Sequence, residues 1–503
     1  MSQNTVAAAR GAETTPEKVP VEPSHGRRWW ILMVISLSML MGVLDGTIVN
    51  IALPSAQRDL GFSDADRQWV VTAYALAFGS LLLLGGRIAD LVGQKVTFLV
   101  GLAGFATASM VGGAANGFLM LVAARAVQGG FAALLAPSAL SILMTTFTEP
   151  RERAKAFTVA GSVSGAGGAV GLILGGVLTE YLDWRWTMYV NVVFAVVAFV
   201  GGVALLHRAP RNTSSKLDVP GTLLVSAGLF GLVYGFSNAE THGWGAPSTW
   251  GMLAAGTALV AFFVWRQNKA AYPLLPLRVL LDRNRGASFA ALFVSGAGMF
   301  GVFLFLTYYL QQNLGFSALK TGFAFLPMIV ASSTASAVAN NVVVPRTGPK
   351  PVVPLGMAVA AVGMVWMTTL DMNSGYLTQV MPQLLLVGVG LGTVVAPAMS
   401  LATSGVAAAD SGAASAAVNT VQQVGGSIGV ALLSTMASDA VTEHLSGRDP
   451  KDPAVLARAG LEGYSTAYWW SAGFFLAGLV VTALLYRRGV PQQDESAAPL
   501  VHM

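Results

Sequence analysis

Residues 29–53 read WWILMVISLSMLMGVLDGTIVNIAL, an apolar run carrying a single charge, Asp45. A bilayer core takes about 20 apolar residues per helix. A charge at its centre costs at least about 2.5–3.5 kcal/mol, so an acid there is a functional candidate by default. Similar runs recur along the chain, and Asp45 is the carboxylate placed deep inside one of them. The predicted spans are 29–53, 67–86, 96–115, 117–143, 155–179, 186–206, 219–237, 250–265, 287–312, 319–342, 351–371, 376–402, 411–436 and 465–486, fourteen transmembrane helices in an all-α integral membrane protein.

Composition agrees. Of 503 residues, 54% are hydrophobic and 11% charged, against about 25% charged in soluble domains. There is no cysteine, which excludes disulfides, thiolate metal sites and cysteine nucleophiles. No metal, cofactor or enzymatic activity is expected, and no nucleic-acid partner. The polar stretch before Trp29 lacks the apolar core of a signal peptide.

Charge placement sets the expected orientation. With the Arg27–Arg28 side taken as cytoplasmic, the other side receives Arg58, Arg67, Arg185, Lys320, Arg448, Lys451 and Arg458. Arg125 falls inside a helix, and the remaining 21 of 29 Lys and Arg lie on the Arg27–Arg28 side. This is a strong positive-inside bias, placing both termini in the cytoplasm with a multi-pass chain between them. Trp29, Trp30, Trp184, Trp186, Trp469 and Trp470 fall at predicted span ends, where interfacial aromatics collect.

The chain also repeats itself weakly. Gly93, Lys95 and Gly101 share their spacing with Gly348, Lys350 and Gly356; Ala136–Pro137 recurs as Ala396–Pro397; Gly167, Gly168 and Gly171 recur as Gly425, Gly426 and Gly429. Three matches in one order argue for duplication. The expected organisation is a cytoplasmic tail at 1–28, a six-helix half at 29–206, a two-helix insert at 219–265, a second six-helix half at 287–486 and a tail at 487–503. Halves packed around a midplane site are the architecture of rocking secondary transporters.

Several motifs carry chemistry. Gly86-Arg87-Ile88-Ala89-Asp90-Leu91-Val92-Gly93-Gln94-Lys95 joins the second and third spans, its glycines permitting a tight turn and its charges either an ion-pair cluster or simple topology setting. Asp45 lies eight residues before the end of its span at 53, and Arg125 eight residues after the start of its span at 117. At 1.5 Å per residue both lie about 12 Å below the same surface, so they are natural partners, with Gln128 one turn from Arg125. The pair is either a static pin or a proton site in which burial favours the protonated acid and Arg125 favours the carboxylate. Gly161, Gly165, Gly168, Gly171, Gly175 and Gly176 form a small-residue stripe for close helix packing. Phe300, Phe303, Phe305, Tyr308 and Tyr309 either line an apolar pocket or face lipid.

In their order these stretches resemble the major facilitator superfamily, in particular its 14-helix drug:proton antiporter branch of actinobacterial type. Leu44-Asp45-Gly46-Thr47-Ile48-Val49-Asn50-Ile51-Ala52-Leu53-Pro54 is similar to the branch's first-helix motif, Arg125-Ala126-Val127-Gln128-Gly129-Gly130 to its fourth, and Gly161 to Gly176 to its fifth. Trp184-Arg185-Trp186 with Asn191, Tyr309-Leu310-Gln311-Gln312, Pro327, and Asn419 with Gln422–Gln423 also fit. The resemblance implies the major facilitator fold and proton coupling through Asp45 and Arg125, supported by Asn50 and Gln128. It further implies a latch at Gly86, Arg87, Asp90, Gly93 and Lys95 and antiporter-helix packing at Gly161, Gly165, Gly171, Gly175 and Gly176. Phe300, Phe303, Tyr308, Gln312 and Asn419 are the candidate substrate-pocket residues. Three positions depart from the pattern: Leu172 replaces the fifth-helix proline, Leu91 stands at an arginine-like position of the loop, and the second loop copy, Pro345 to Pro351, has no acid.

No Gly-x-x-x-x-Gly-Lys-Ser/Thr stretch is present, so ATP is not the expected energy source. The proton gradient supplies about 2.3 kcal/mol per charge per 100 mV. The expected function is proton-coupled export of lipophilic drugs or antibiotics across a bacterial plasma membrane, with self-resistance of an antibiotic producer as one setting. With a single deep acid, the substrate is expected to be neutral or singly cationic. The alternative is a proton symporter or facilitator for a small nutrient.

Overall fold

A computed structural model describes residues 25–63, 66–147, 149–206, 218–270, 273–406, 411–449 and 452–489. The tail positions before His25 and after Gly489 lie outside the described residues. The described chain is helical: α1 (His25–Leu60), α2 (Arg67–Val92), α3 (Gln94–Gly113), α4 (Phe118–Thr146), α5 (Pro150–Tyr181), α6 (Trp186–Leu205), α7 (Val219–His242), α8 (Pro247–Gln267), α9 (Leu277–Leu281), α10 (Arg283–Tyr308), α11 (Ala318–Val338), α12 (Val344–Thr347), α13 (Pro349–Met367), α14 (Met381–Thr403), α15 (Ser411–Leu445) and α16 (Pro453–Leu485). Single π-helical turns extend α10, follow α11 and open α14. In hydrocarbon a backbone must satisfy its own hydrogen bonds, which only helices and closed barrels do. Among the described residues twelve helices are long and apolar enough to cross a membrane. The chain is therefore a multi-pass membrane protein with about twelve candidate spans. Helices α2 and α5, 26 and 32 residues long, lie outside that set of twelve.

The packing is repetitive. Helix α1 packs on α4, α5 and α6, as α10 packs on α14, α15 and α16. Helix α4 packs on α2 and α3, as α14 packs on α11 and α13. The sequence repeats fall on equivalent places: Gly93 and Gly348 precede α3 and α13 with φ of 105° and 78°, angles that glycine adopts without strain. The two sets meet where α2 packs on α15 and α5 on α11. Helices α7 and α8 pack on each other, and α7 lies against α2 and α15, where Ser226 Oγ donates to the Ser80 carbonyl at 3.0 Å.

Two expected loops are helical instead. Helix α2 continues through Gly86 to Val92, and only Gly93 separates it from α3. Arg87, Ile88, Ala89 and Leu91 are adequate helix formers, and two charges do not stop a helix. Most of the segment 437–464, left between the last two expected spans, belongs to the ends of α15 and α16, which stop at Leu445 and start at Pro453. Helix α8 spans 21 residues and so exceeds its short expected span.

The close approach expected of the loop glycines is made by Gly85. A Cβ at Gly85 would lie 1.9 Å from the Ala133 carbonyl oxygen of α4, whereas one at Gly86 would meet Pro137 Cβ at 3.6 Å, an ordinary contact. Gly85→Ala is expected to cost about 1–3 kcal/mol by overpacking, and Gly86→Ala to be neutral. Thermal melts of the two purified variants in detergent check this; equal stability would contradict it.

Candidate functional site

Five helices converge on Asp45, which is fully buried in α1. Its Oδ2 accepts from Arg125 Nη1 of α4 at 2.7 Å. Its Oδ1 accepts from Gln128 Nε2 of α4 at 2.8 Å and from Asn191 Nδ2 of α6 at 2.7 Å. Arg125 Nη1 also donates to Gln128 Oε1 at 2.6 Å, and its Nε to the Val70 carbonyl of α2 at 3.2 Å. Gln128 Nε2 further reaches Ser109 Oγ of α3 at 2.8 Å. The guanidinium lies 4.4 Å from the centroid of the Tyr74 ring, a favourable cation–π arrangement. Isolated, either charge would be very costly to bury; paired and multiply hydrogen-bonded, both are held. The carboxylate thus accepts three hydrogen bonds, one on Oδ2 and two on Oδ1.

The expected partnership of Asp45, Arg125 and Gln128 is therefore formed. Asn50 is not part of it: its Nδ2 turns back to the Gly46 carbonyl of its own helix at 2.8 Å. Asn191, Ser109, Tyr74 and the Val70 carbonyl are members that sequence reading did not assign.

The glycine helix α5 has two working faces. On one, Gly171 and Gly175 lie so close to α1 that a Cβ would meet Thr47 Oγ1 at 2.0 Å and Ile48 Cγ1 at 2.9 Å. On the other, a Cβ at Gly176 would meet Leu319 Cα of α11 at 2.5 Å, and the Leu172 carbonyl lies against Gly322. Thus α5 separates the Asp45 helix from the opposing set by backbone-close contacts. It runs unbroken from Pro150 to Tyr181, in line with leucine rather than proline at 172. Gly161 and Gly165 lie on the same helix; their contacts, like the Asp90 side chain, fall outside what the structure describes.

Of the expected latch, Lys95 donates to the carbonyls of Val203, at 2.9 Å, and Leu206 at the end of α6, where a cation suits the free carbonyls. Gly86 and Arg87 lie inside α2 rather than in a turn.

The expected pocket residues contact different elements. Phe303 is core, its ring 5.0 Å from that of Phe325. Phe300 packs on Gly426 of α15. Gln312 Oε1 accepts from the Tyr464 hydroxyl at 3.2 Å, and Asn419 Nδ2 donates to the Ser415 carbonyl of its own helix. Tyr308, fully buried, donates its hydroxyl to Gln57 Oε1 at 2.6 Å, with the Arg67 guanidinium 4.2 Å from its ring centroid. Nearby, Gln311 Nε2 donates to the Ile51 carbonyl at 3.1 Å, and the Leu319 amide to Glu180 Oε2 at 3.0 Å. These bonds join α1 and α5 to α10 and α11 at the end of the bundle carrying Leu60 and Tyr181. At the opposite end, Arg28 pairs with Glu152 at 3.3 Å and Arg27 Nη2 donates to the Leu205 carbonyl at 3.0 Å, both within α1–α6.

Asp45→Asn alone leaves Arg125 buried without its counter-ion and is expected to cost about 3–5 kcal/mol of stability. Adding Arg125→Gln is expected to recover most of that loss. Melts of the single and double variants form the test; strictly additive losses would show that the two charges do not act on each other.

The sequence pattern of the Major Facilitator Superfamily matches residues 35–430. The chain is 46% identical over 490 residues to the puromycin resistance protein of Streptomyces alboniger, covering 96% of this chain and 97% of that one. It is 38% identical over 457 residues to the cephamycin export protein of Amycolatopsis lactamdurans, covering 90% and 92%. Among solved structures it resembles an auto-inhibited POT family peptide transporter, with a TM-score of 0.67 at 14% identity over 93% of this chain and 98% of that one, a likeness of fold. With this match over most of its length, and relatives that are antibiotic resistance and export transporters of actinobacteria, the chain belongs to the Major Facilitator Superfamily.

Proposed function

We propose that this protein is a proton-coupled antiporter that exports a lipophilic antibiotic from the cytosol or inner leaflet of a bacterial plasma membrane. The observation that carries the reading is the fully buried Asp45–Arg125 pair at 2.7 Å. The names of the antibiotic resistance and export relatives support the substrate class. In the proposed topology fourteen helices cross the membrane with both termini cytoplasmic. Two six-helix halves, 29–206 and 287–486, flank the insert at 219–265. Residues 86–95 act as the cytoplasmic latch, and the glycine face of α5 slides during rocking.

The cycle follows from charge. With Asp45 ionised, its charge and that of Arg125 cancel; a proton from outside neutralises Asp45 and leaves Arg125 in excess. Drug binding and proton release then alternate, so the inward proton drives the outward drug. The bonds among Gln57, Tyr308, Ile51, Gln311, Glu180 and Leu319 close the outer end of the bundle in this state, which supports an inward-facing resting form. A single titrating acid suits a neutral or singly cationic substrate. A proton symporter or facilitator for a nutrient is the competing reading.

Uptake of puromycin into inside-out vesicles with an acid interior tests the proposal. One proton per drug at 100 mV supports about 50-fold accumulation. Wild type is expected to accumulate the drug and Asp45→Asn to fall to the passive level while still binding it. Equal driven uptake in the variant would remove Asp45 from coupling. No driven uptake of any antibiotic by folded wild type would favour the nutrient reading.

A further inference from the structure

The carboxylate of Asp45 meets only donors: Arg125 Nη1, Gln128 Nε2 and Asn191 Nδ2. A protonated Asp45 is itself a donor and needs an acceptor. Arginine has none. Gln128 cannot turn its amide, because its Oε1 is held by Arg125 at 2.6 Å and its Nε2 by Ser109 Oγ at 2.8 Å; reversal would point N–H groups at a guanidinium. Asn191 is different. It is fully buried, its Nδ2 donates to Asp45, and its Oδ1 is buried with no hydrogen-bond partner. An orphaned buried acceptor is costly, typically about 1–3 kcal/mol, and it lies on the same amide that touches the acid.

We propose that Asn191 is a positioning residue whose amide turns over when Asp45 takes up its proton. The inference rests on the reading of Asp45 as the proton site. In the charged state Nδ2 donates to Oδ1 of the carboxylate. A proton arriving from water forms an O–H bond on Asp45, the carboxyl becomes neutral, and the site keeps the positive charge of Arg125. Rotation of the Asn191 amide by half a turn then presents its Oδ1, which accepts the new O–H. Both protonation states are thus hydrogen-bonded through one side chain of α6. The ionisable groups facing Asp45 are Arg125 of α4 and the Tyr74 phenol of α2; the neighbouring parts of α3, α5 and α6 bring Ser109, glycines and Asn191, none of which ionises.

Acid-minus-neutral difference infrared spectra of the protein, labelled with amide-carbon-13 asparagine, test this directly. In wild type, acidification is expected to produce a carboxylic-acid carbonyl band and, with the same midpoint, a shift of a labelled amide carbonyl band to lower frequency as that carbonyl gains a donor. Asp45→Asn is expected to lose both, and Asn191→Leu to lose the amide shift and move the acid band. Should Asn191→Leu not fold, the wild-type and Asp45→Asn comparison still decides. An Asp45 acid band with no accompanying amide shift would overturn the amide switch while leaving the proton site in place. Absence of any Asp45-dependent acid band would overturn the proton-site reading, and this inference with it.

Discussion

An unpaired charge in a bilayer is expensive, and much of this structure is organised by that fact. Asp45 and Arg125 are tolerable because they meet at 2.7 Å, with further hydrogen bonds from Gln128 and Asn191 to the carboxylate and from Arg125 to Gln128 and the Val70 carbonyl. That requirement brings α1, α2, α3, α4 and α6 to a single point. The interaction is strong because the medium around it is poor in polar groups. Binding a proton there changes the net charge of a buried cluster by one unit, a far larger local perturbation than the same event at a solvated surface.

Helix α5 supplies the mechanical counterpart. One face lies against the Asp45 helix through Gly171 and Gly175, the other against α11 through Leu172 and Gly176. Because glycine lets backbones approach, a small displacement of α1 is met by α5 without an intervening layer of adaptable side chains. The bonds from Glu180 to the Leu319 amide and from Tyr308 to Gln57 sit at the same end of the bundle. Both bonds cross the surface where the two helix sets meet.

The sequence was legible where a physical rule had one solution. Apolar run length located the helices, and counting from helix ends placed Asp45 and Arg125 at one depth. Gln128 followed from helical spacing. Asn191 did not, because buried mid-helix polar residues are numerous here; Asn50 looks equivalent in sequence, and only the rotation of each helix about its axis separates a partner of Asp45 from a side chain bonded to its own backbone. The same limit affected Phe303 and Tyr308: α10 is apolar on all sides, so periodicity does not say which face is core. The turn expected at Gly86 failed because charged residues and glycine were read as a break, while the tight contact of Gly85 with Ala133 keeps α2 helical and packed on α4. No local pattern in the sequence links Glu180 to the Leu319 amide 139 positions away.

The central claim is that Asp45 gives up a proton when the antibiotic binds. Adding puromycin to purified protein first acidified to load the Asp45 proton, in weakly buffered detergent solution with a pH indicator as the readout, measures this without a membrane. The account predicts release of about one proton per bound drug for one titrating acid, and none from Asp45→Asn that still binds puromycin. Undiminished proton release from that variant would contradict it.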